Sequence, residues 1–234
     1  MLFYTTRIEN GLAFLDEEES RHLLTVLRRQ PGDRLELTDG KGHFYTAELV
    51  ETGKKGAVAR ILDTRPAPLE RPARLHIGIA PTKQMERLEW FLEKATEIGI
   101  DEITPMLCKR SERDTVRLDR LEKILVSAMK QSLRARLPRL NPMTPVKKVL
   151  ENAVEAQKCI AWCAPEPLPH LKNTLRGELD TLVLIGPEGD FTPEEVALAL
   201  EKGFTGVSLG SARLRTETAG LLAVAAVNLK EAVS

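Results

Sequence analysis

The sequence predicts an α/β protein in two parts: a small N-terminal unit of mostly antiparallel strands and a larger C-terminal unit with a mostly parallel sheet. Near the start, runs of alternating apolar and polar residues are separated by glycine-rich turns, which is typical of antiparallel strands. Further on, short apolar strands alternate with helical patterns, which indicates a parallel sheet covered on both faces. A proline-rich stretch at 65–73 separates the two patterns. We therefore expect two domains, 1–68 and 72–234.

The N-terminal unit begins with a helical pattern at 15–29. Asp16 is placed to cap this helix, and Arg28 and Arg29 are expected in its last turn, where positive charge suits the helix dipole. Strands are predicted to follow at 34–39, 43–51 and 57–64, joined by the turns "DGKG" and "TGKKG".

The C-terminal unit alternates between strand and helix. Strands are predicted at 74–80, 101–107, 159–163, 181–185 and 206–210, and helices at 84–99, 116–136, 193–203 and 219–232. One face of the second helix carries an apolar stripe at three- and four-residue spacing: Leu118, Leu121, Leu125, Ala128 and Ser132. The last helix is apolar on almost every side, so we expect it to be buried against the sheet or against a second subunit.

Charge is unevenly distributed along the chain. The net charge is zero, yet Lys109 to Leu140 contains ten Lys/Arg against four Asp/Glu, a local charge of +6 that points to an anionic partner. The three cysteines form no CxxC pair, so neither a zinc site nor a disulfide framework is expected. The N-terminus lacks the apolar core of a signal peptide, and no apolar run approaches the length of a membrane span. A reduced, cytoplasmic setting is the expectation.

Three strand ends carry turn-forming segments: "WCAPEP", "IGPEGDF" and "LGSARLRTETAG". Ligands of parallel α/β sheets gather at the carboxyl ends of the strands, so we expect these loops to meet around a ligand. The middle loop enters its helix through Thr192 and Glu195, the pattern of a capping box. Alternatively, Gly186–Gly189 is no more than a turn between a strand and a helix.

Polyphosphates fit this middle loop poorly. A P-loop needs a lysine after its glycines, whereas here Glu188 stands where a phosphate would be repelled, and the Rossmann fingerprint is absent too. A ligand with a sulfonium, an adenine edge and hydroxyl groups suits exposed backbone groups beside a carboxylate much better. A nicotinamide oxidoreductase is disfavoured for the same reason.

The motif "IGPEGDF…E" followed by "LG…LRTETA" resembles the signature of the SPOUT-class RNA methyltransferases, and more narrowly that of the RsmE family. The segments "RHLLTVLRRQPGD", "KATEIGIDEITPM" and "RSERD…AMKQSLRARLP" extend the resemblance over nearly the whole chain. It implies an N-terminal PUA-like β-barrel and a C-terminal domain with a trefoil knot that binds S-adenosylmethionine and forms a homodimer. The activity it implies is methylation of N3 of a uridine in 16S ribosomal RNA, without a metal ion.

The resemblance also implies which residues form the site. The residues that match cofactor-binding positions are Cys163, Ala164, Ile185, Gly186, Glu188, Gly189, Leu209, Gly210, Leu214, Thr216 and Ala219. Three positions depart from the common family pattern, one of them Lys130, since "KQS" replaces a more usual "EQS". Asp190 stands where many members have the last glycine of "GPEGG", and Ala212 replaces an arginine, with Arg213 following it.

The candidate catalytic residues are Arg215, Glu217 and Glu188. Methyl transfer to N3 requires loss of the N3 proton, and Arg215 is expected to stabilise the resulting anion; the alternative is a salt bridge to Glu217. Glu217 is a candidate general base, and the alternatives are a helix cap or a group that orients an arginine. Glu188 is expected to orient the cofactor or the base.

The basic segment and the N-terminal unit supply candidate contacts to RNA phosphates. These are Arg28, Arg29, Arg110, Arg113, Lys130, Gln131, Arg134 and Arg136. Two other functions remain open at this stage: a non-catalytic RNA-binding factor in ribosome assembly, and a SPOUT enzyme that methylates a different RNA position. Cofactor binding separates the first from the enzyme, and product analysis separates the second.

Overall fold

The computed structural model describes residues 1–53, 56–69 and 71–231. The chain packs as two units, the first made of Met1–Leu69 with Val126–Leu137 and the second of Glu70–Leu125 with Pro138–Ser234. The domain division at 1–68 and 72–234 remains a proposal. Relative to it, the structure adds the segment Val126–Leu137 to the first unit.

The first unit is built on one sheet. Within the described residues its strands are β1 (Leu2–Tyr4), β2 (Arg7–Glu9), β3 (Leu12–Leu15), β4 (Arg34–Thr38), β5 (His43–Gly53) and β6 (Gly56–Pro66). They are arranged in the order β1-β4-β5-β6-β3-β2, and all neighbours are antiparallel except β1 and β4. The three predicted strands are present as β4, β5 and β6. The first three strands are too short to show a clear alternation, and the sequence did not predict them. The predicted turn at Lys54 and Lys55 lies outside the described residues.

Helix α1 (Glu17–Arg21) continues into a π-helical turn at His22–Val26. Its predicted cap is confirmed, because the Asp16 carboxylate accepts a hydrogen bond from the Glu19 N–H at 2.8 Å. The prediction that Arg28 and Arg29 lie in the last turn is wrong. The Leu27 N–H bonds to the His22 carbonyl at 3.1 Å, and Arg28 then adopts a left-handed φ of 53°, which ends the helix before both arginines.

The second unit is built on a parallel sheet. Its strands in the described residues are β7 (Leu75–Ile79), β8 (Glu102–Leu107), β9 (Arg139–Leu140), β10 (Thr144–Pro145), β11 (Gln157–Ala161), β12 (Thr181–Ile185) and β13 (Thr205–Val207). The order is β10-β8-β7-β12-β11-β13, with β9 also paired to β8, and every one of these pairings is parallel. The predicted parallel sheet is therefore confirmed.

Helices pack on this sheet: α2 (Met85–Ile98), α4 (Val146–Asn152), α5 (Leu171–Thr174), α6 (Pro193–Glu201) and α7 (Thr216–Glu231). Helix α3 (Leu118–Gln131) begins in the second unit, and its residues from Val126 onward belong to the first. Leu182 and Leu184 belong to a buried cluster with Val149 of α4 and Val196 of α6. Helix α7 contacts β7, β12 and α2. Gly220 makes this approach possible, because a Cβ there would lie 2.8 Å from the Phe91 ring.

Two predicted helices differ from the structure. Helix α3 ends at Gln131 and Leu133 has a left-handed φ of 55°, so Arg134 and Arg136 lie beyond the helix rather than in it. Helix α7 is not buried on every side of a single chain, since Leu222 is 37% and Leu229 67% exposed. The last residue of that predicted helix, Ala232, lies outside the described residues.

Candidate active site

The three predicted loops meet at one edge of the parallel sheet. Strands β12, β11 and β13 are neighbours, so their carboxyl ends lie side by side, and the loops that follow them surround a cavity of about 1230 Å³. All eleven residues that match cofactor-binding positions line this cavity: Cys163, Ala164, Ile185, Gly186, Glu188, Gly189, Leu209, Gly210, Leu214, Thr216 and Ala219. The topology thus brings the whole set together, while their individual roles in binding stay predictions.

The loop after β12, residues 186–191, lies close against its surroundings. A Cβ at Gly186 would lie 3.0 Å from two carbons of the Phe191 ring, so a side chain there would require the ring to move. The Gly186 carbonyl accepts a hydrogen bond from the Thr216 hydroxyl at 3.2 Å, which ties this loop to the start of α7. The loop then enters α6 through the predicted capping box of Thr192 and Glu195, which is confirmed.

Arg110 also holds this loop. Its guanidinium donates to the Gly189 carbonyl at 2.7 Å and approaches the Phe191 carbonyl at 3.4 Å. Arg113 donates to the Lys83 carbonyl at 2.9 Å. Both arginines were predicted to contact RNA phosphates, and the structure gives each of them a backbone partner within the second unit.

Arg87 is a site residue that the sequence did not reveal. It lies in the first turn of α2 and lines the cavity, where its guanidinium donates to the Glu188 carboxylate at 2.8 Å. Its Nε also lies 3.9 Å from a carboxylate oxygen of Glu217. Arg87 therefore connects α2 with the loop after β12 and with the first turn of α7.

Glu217 lies behind the cavity wall rather than in it. The residue is 7% exposed and is not among the residues that line the cavity. Within the described part of the chain, its Oε2 atom is buried without a hydrogen-bond partner. This geometry favours the alternative in which Glu217 orients an arginine, and the arginine is Arg87.

Arg215 lies on the loop after β13 and does line the cavity. Its side chain is exposed, and among residues 1–53, 56–69 and 71–231 it has no ion pair or side-chain hydrogen bond. In the described residues, Arg215 and Glu217 therefore do not form the salt bridge that was the alternative. An unpaired guanidinium at the cavity is available to a negatively charged group.

Asp190, which departs from the family pattern, connects two of the loops. Its carboxylate accepts a hydrogen bond from the Cys163 N–H at 2.9 Å and another from the Phe191 N–H at 2.8 Å. The residue has a left-handed φ of 62°, a conformation that favours glycine over residues with a side chain. Partial burial and the nearby Asp190 carboxylate raise the pKa of the Cys163 thiol above its ordinary value.

The remaining candidate RNA contacts lie in the first unit. Arg28, Arg29 and Gln131 are exposed. The Lys130 ammonium pairs with the buried Glu19 carboxylate, which favours a structural role for this lysine. Burial lowers the pKa of Arg134, and Arg136 donates to the Lys41 carbonyl at 3.3 Å.

Two family models match the chain. A model of an RNA methyltransferase domain covers residues 69–228, and a model of an RNA methyltransferase PUA domain covers residues 15–62. Fold, cavity and models together define the class as an RNA methyltransferase with an N-terminal PUA domain. The trefoil knot stays a prediction.

Whole-chain comparisons give the particular family. The ribosomal RNA small subunit methyltransferase E of Mycobacterium bovis is 32% identical, over 98% of this chain and 91% of that protein. A probable rRNA methyltransferase structure from Porphyromonas gingivalis is 42% identical, with a TM-score of 0.93, and the match covers 99% of this chain and 98% of the other. The methyltransferase E structure from Neisseria gonorrhoeae, bound to S-adenosyl methionine, is 30% identical with a TM-score of 0.86, over 97% and 96%. The chain belongs to the ribosomal RNA small subunit methyltransferase E family.

Membrane-spanning helices and metal-binding clusters are both absent from the described residues. No helix there is both long and apolar enough to cross a membrane. In the same residues, no three His, Cys, Asp or Glu side chains are grouped so that they could hold a metal ion.

Proposed function

We propose that this protein transfers a methyl group from S-adenosylmethionine to N3 of a uridine in the 16S RNA of the small ribosomal subunit. Its relatives are named as small-subunit ribosomal RNA methyltransferases, and one of the similar structures is described as bound to the methyl donor. The observation that carries the proposal is the cavity between three strand ends, which combines a carboxylate-bearing loop with the unpaired Arg215.

The cavity residues fit S-adenosylmethionine. Carboxylates at Glu166, Glu188 and Asp190 line the cavity beside Arg87, Arg213 and Arg215, so both the positive sulfonium and amino groups and the negative carboxylate of this ligand can find opposite charge there. A ligand can approach the backbone closely at Gly210, which has a φ of 117° and open space where a side chain would lie. No lysine lines the cavity in the described residues, so a polyphosphate has no partner of the P-loop kind. When bound, S-adenosylmethionine would supply an electrophilic methyl group attached to a positively charged sulfur.

The side chains of the cavity can act on the uracil. As N3 loses its proton, negative charge spreads to O2 and O4, and the Arg215 guanidinium can donate hydrogen bonds to one of these oxygens. Arg87 and Arg213 also line the cavity, and the Glu188 carboxylate already holds Arg87. Glu188 is 39% exposed in its side chain and faces the cavity, so it is the carboxylate best placed to orient the base or take the proton. A target base must leave the RNA stack to enter this cavity.

The RNA partner is proposed to be recognised through its phosphates. Arg28, Arg29 and Gln131 in the first unit are exposed. Arginines contribute salt-dependent, sequence-independent affinity for phosphates, and the neutral Gln131 amide can add a hydrogen bond. A target in ribosomal RNA places the protein in the cytoplasm. This location is part of the proposal.

We further propose that the active form is a homodimer. One side of α7 is buried and consists of Gly220, Ala223, Val224 and Val227. Leu222 and Leu229 on the same helix are exposed. Helix α2, which packs on α7, carries the exposed Trp90. Exposed apolar groups on neighbouring helices mark a surface for another protein, and a second copy would bury them. Sedimentation analysis should give twice the chain mass, and Leu229→Lys should shift it toward the single mass.

A methyl-transfer assay tests the proposed function. Labelled S-adenosylmethionine is offered with unmodified 16S RNA, both free and assembled into small subunits, and the product is digested to nucleosides. Label is expected in 3-methyluridine. Arg215→Ala should reduce kcat by about 10²- to 10³-fold, the range for loss of one donor to a developing anion. The exposed Arg117→Ala is the charge-matched control, outside the cavity.

The other outcomes separate the alternatives. Label in a different nucleoside would keep the enzyme class and replace the target. No label with either RNA, together with no binding of S-adenosylmethionine, would overturn the enzyme proposal and leave the ribosome assembly factor.

A further inference from the structure

The two carboxyl oxygens of Asp190 bond to two different loops of the cavity. One accepts the Cys163 N–H from the loop after β11, at 2.9 Å. The other accepts the Phe191 N–H from its own loop, at 2.8 Å. We call this pair of hydrogen bonds the Asp190 bridge. A glycine at this position, as in many family members, could not form it.

The two loops differ in how else they are held. The loop that carries Asp190 is also fixed by Arg87 through Glu188, by Arg110 through the Gly189 carbonyl, and by Thr216 through the Gly186 carbonyl. It therefore does not need the bridge for its own position.

The loop after β11 is tied to residue Ser208 at its far end, where the Pro169 carbonyl accepts the Ser208 N–H at 2.9 Å, and the part before Pro169 depends on the bridge. In the described part of the chain, residues 163–168 make no hydrogen bond to any residue other than Asp190. Apolar packing contributes at its two ends, where Trp162 and Leu168 lie over Gly206 of β13. The polar part of the loop, including Cys163 and Ala164 at the cavity, is held through Asp190.

The backbone conformation at Asp190 is unfavourable for an aspartate, and the bridge offsets this conformational strain. A left-handed φ of 62° is unfavourable for residues other than glycine, although Asp tolerates it better than most because its side chain can bond locally. An aspartate here gains the bridge in exchange for this strain.

We propose that Asp190 is a positioning residue that fixes the loop after β11 in place before ligand binding, and thereby increases the affinity of the cavity for S-adenosylmethionine and S-adenosylhomocysteine alike. This inference rests on the proposed function. The physical reason is preorganisation. If the loop is ordered before the ligand binds, no binding free energy is lost in ordering it.

The test compares three variants with the wild type. Asp190→Gly removes the bridge and relieves the backbone strain. Asp190→Asn keeps a residue that tolerates a left-handed φ but replaces two charged carboxylate oxygens with one neutral amide oxygen. One bond of the bridge is therefore lost and the other is weakened. Glu166→Gln is the matched charge control, because it removes one negative charge from the cavity lining and breaks no hydrogen bond between loops of the described chain.

Calorimetry with both ligands gives the first readout. Asp190→Gly and Asp190→Asn should weaken binding of S-adenosylmethionine and S-adenosylhomocysteine by a similar factor, about tenfold. Since S-adenosylhomocysteine lacks the sulfonium charge, a loss confined to S-adenosylmethionine and matched by Glu166→Gln would overturn the inference in favour of a charge effect. Binding within twofold of wild type for both Asp190 variants would overturn it as well.

Hydrogen exchange of the protein without ligand gives the second readout. The Cys163 amide should be protected in the wild type and in Glu166→Gln, and should exchange at least tenfold faster in both Asp190 variants. Equal exchange in all four proteins would show that the bridge does not order the loop. If the wild type bound neither ligand, the proposed function would fail, and exchange would still decide whether Asp190 orders the loop.

Discussion

Replacing Arg87 with methionine is the sharpest test of how the cavity is built. The substitution keeps an unbranched side chain of similar length and removes the positive charge. Arg87 pairs with Glu188 at 2.8 Å and lies 3.9 Å from Glu217, and the side chain of Glu217 is only 9% exposed. Without Arg87, the Glu217 carboxylate would be buried without an ion-pair partner in the described chain.

The magnitude follows from these two contacts. Loss of one partner from a fully buried ion pair costs about 3–5 kcal/mol, because a charge is left uncompensated. The contact to Glu217 is long and Arg87 is itself 27% exposed, so the cost here should be smaller. The pair with the exposed Glu188 adds about 0.2–1 kcal/mol at most. We therefore expect Arg87→Met to destabilise the protein by about 1–2 kcal/mol, which lowers Tm by roughly 2–8 °C for a chain of this size.

Thermal unfolding of the wild type and four variants provides the assay. Arg87→Met, Glu217→Gln and the double variant form a mutant cycle, and Arg117→Met is the control for loss of an exposed arginine pair. The double variant should recover most of the lost stability, because a neutral amide leaves no charge to compensate. Arg117→Met should change stability by less than about 0.5 kcal/mol. A Tm of Arg87→Met within 1 °C of the wild type, or no recovery in the double variant, would refute the dependence of Glu217 on Arg87.

Two further predictions concern pH and salt. Burial of Glu155 disfavours its charged form, but the hydrogen bond from His76 outweighs this and holds the pKa of Glu155 below its ordinary value of 4.5. This stabilisation is complete above pH 4.5 and is lost as the pH falls through the lower folded-state pKa. In denaturant unfolding, the stability of Glu155→Gln should therefore differ most from that of the wild type near pH 7. A stability difference that stays constant down to about pH 3 would contradict this prediction. For RNA binding, replacing both Arg28 and Arg29 with alanine should reduce the slope of log affinity against log salt by about 0.7–0.9 for each RNA phosphate that the protein no longer neutralises. Filter binding at several salt concentrations measures the slope, and Lys202→Ala is the control; an unchanged slope would remove both arginines from the RNA surface.

The sequence allowed the loops of the cavity to be predicted because the rule behind them is topological. Carboxyl ends of adjacent parallel strands must lie side by side, so three turn-forming segments after three apolar strands were sufficient to bring Cys163, Gly186 and Leu209 together. Periodicity likewise predicted the buried stripe of α3, and Leu121 and Leu125 in it are fully buried. These features depend on local pattern and on connectivity, both of which the sequence contains.

Other features depend on contacts that no local pattern reveals. Arg87 lies about a hundred positions before Glu188, on a helix whose pattern is that of an ordinary amphipathic helix. The π-helical turn that separates Arg28 and Arg29 from α1 arises from bonds five residues apart, which a 3.6-residue period does not predict. The strands β1, β2 and β3 are three or four residues long, which is too short for an alternation to be distinguished from chance.

The arginines show how partners, rather than charge, determine a role. By charge alone, Arg87, Arg110, Arg113 and Arg215 are equivalent candidates to bind an anion. The first three donate to groups of the protein itself: Arg87 to the Glu188 carboxylate, Arg110 to the Gly189 carbonyl and Arg113 to the Lys83 carbonyl. A guanidinium held by such a bond gains less from a substrate anion if it must give up that bond to reach the anion. Arg215 lines the same cavity without such a partner in the described chain, so stabilising a substrate anion costs it no existing bond. The loop-fixing arginines should therefore affect stability and ligand affinity when they are replaced, whereas Arg215 should affect kcat.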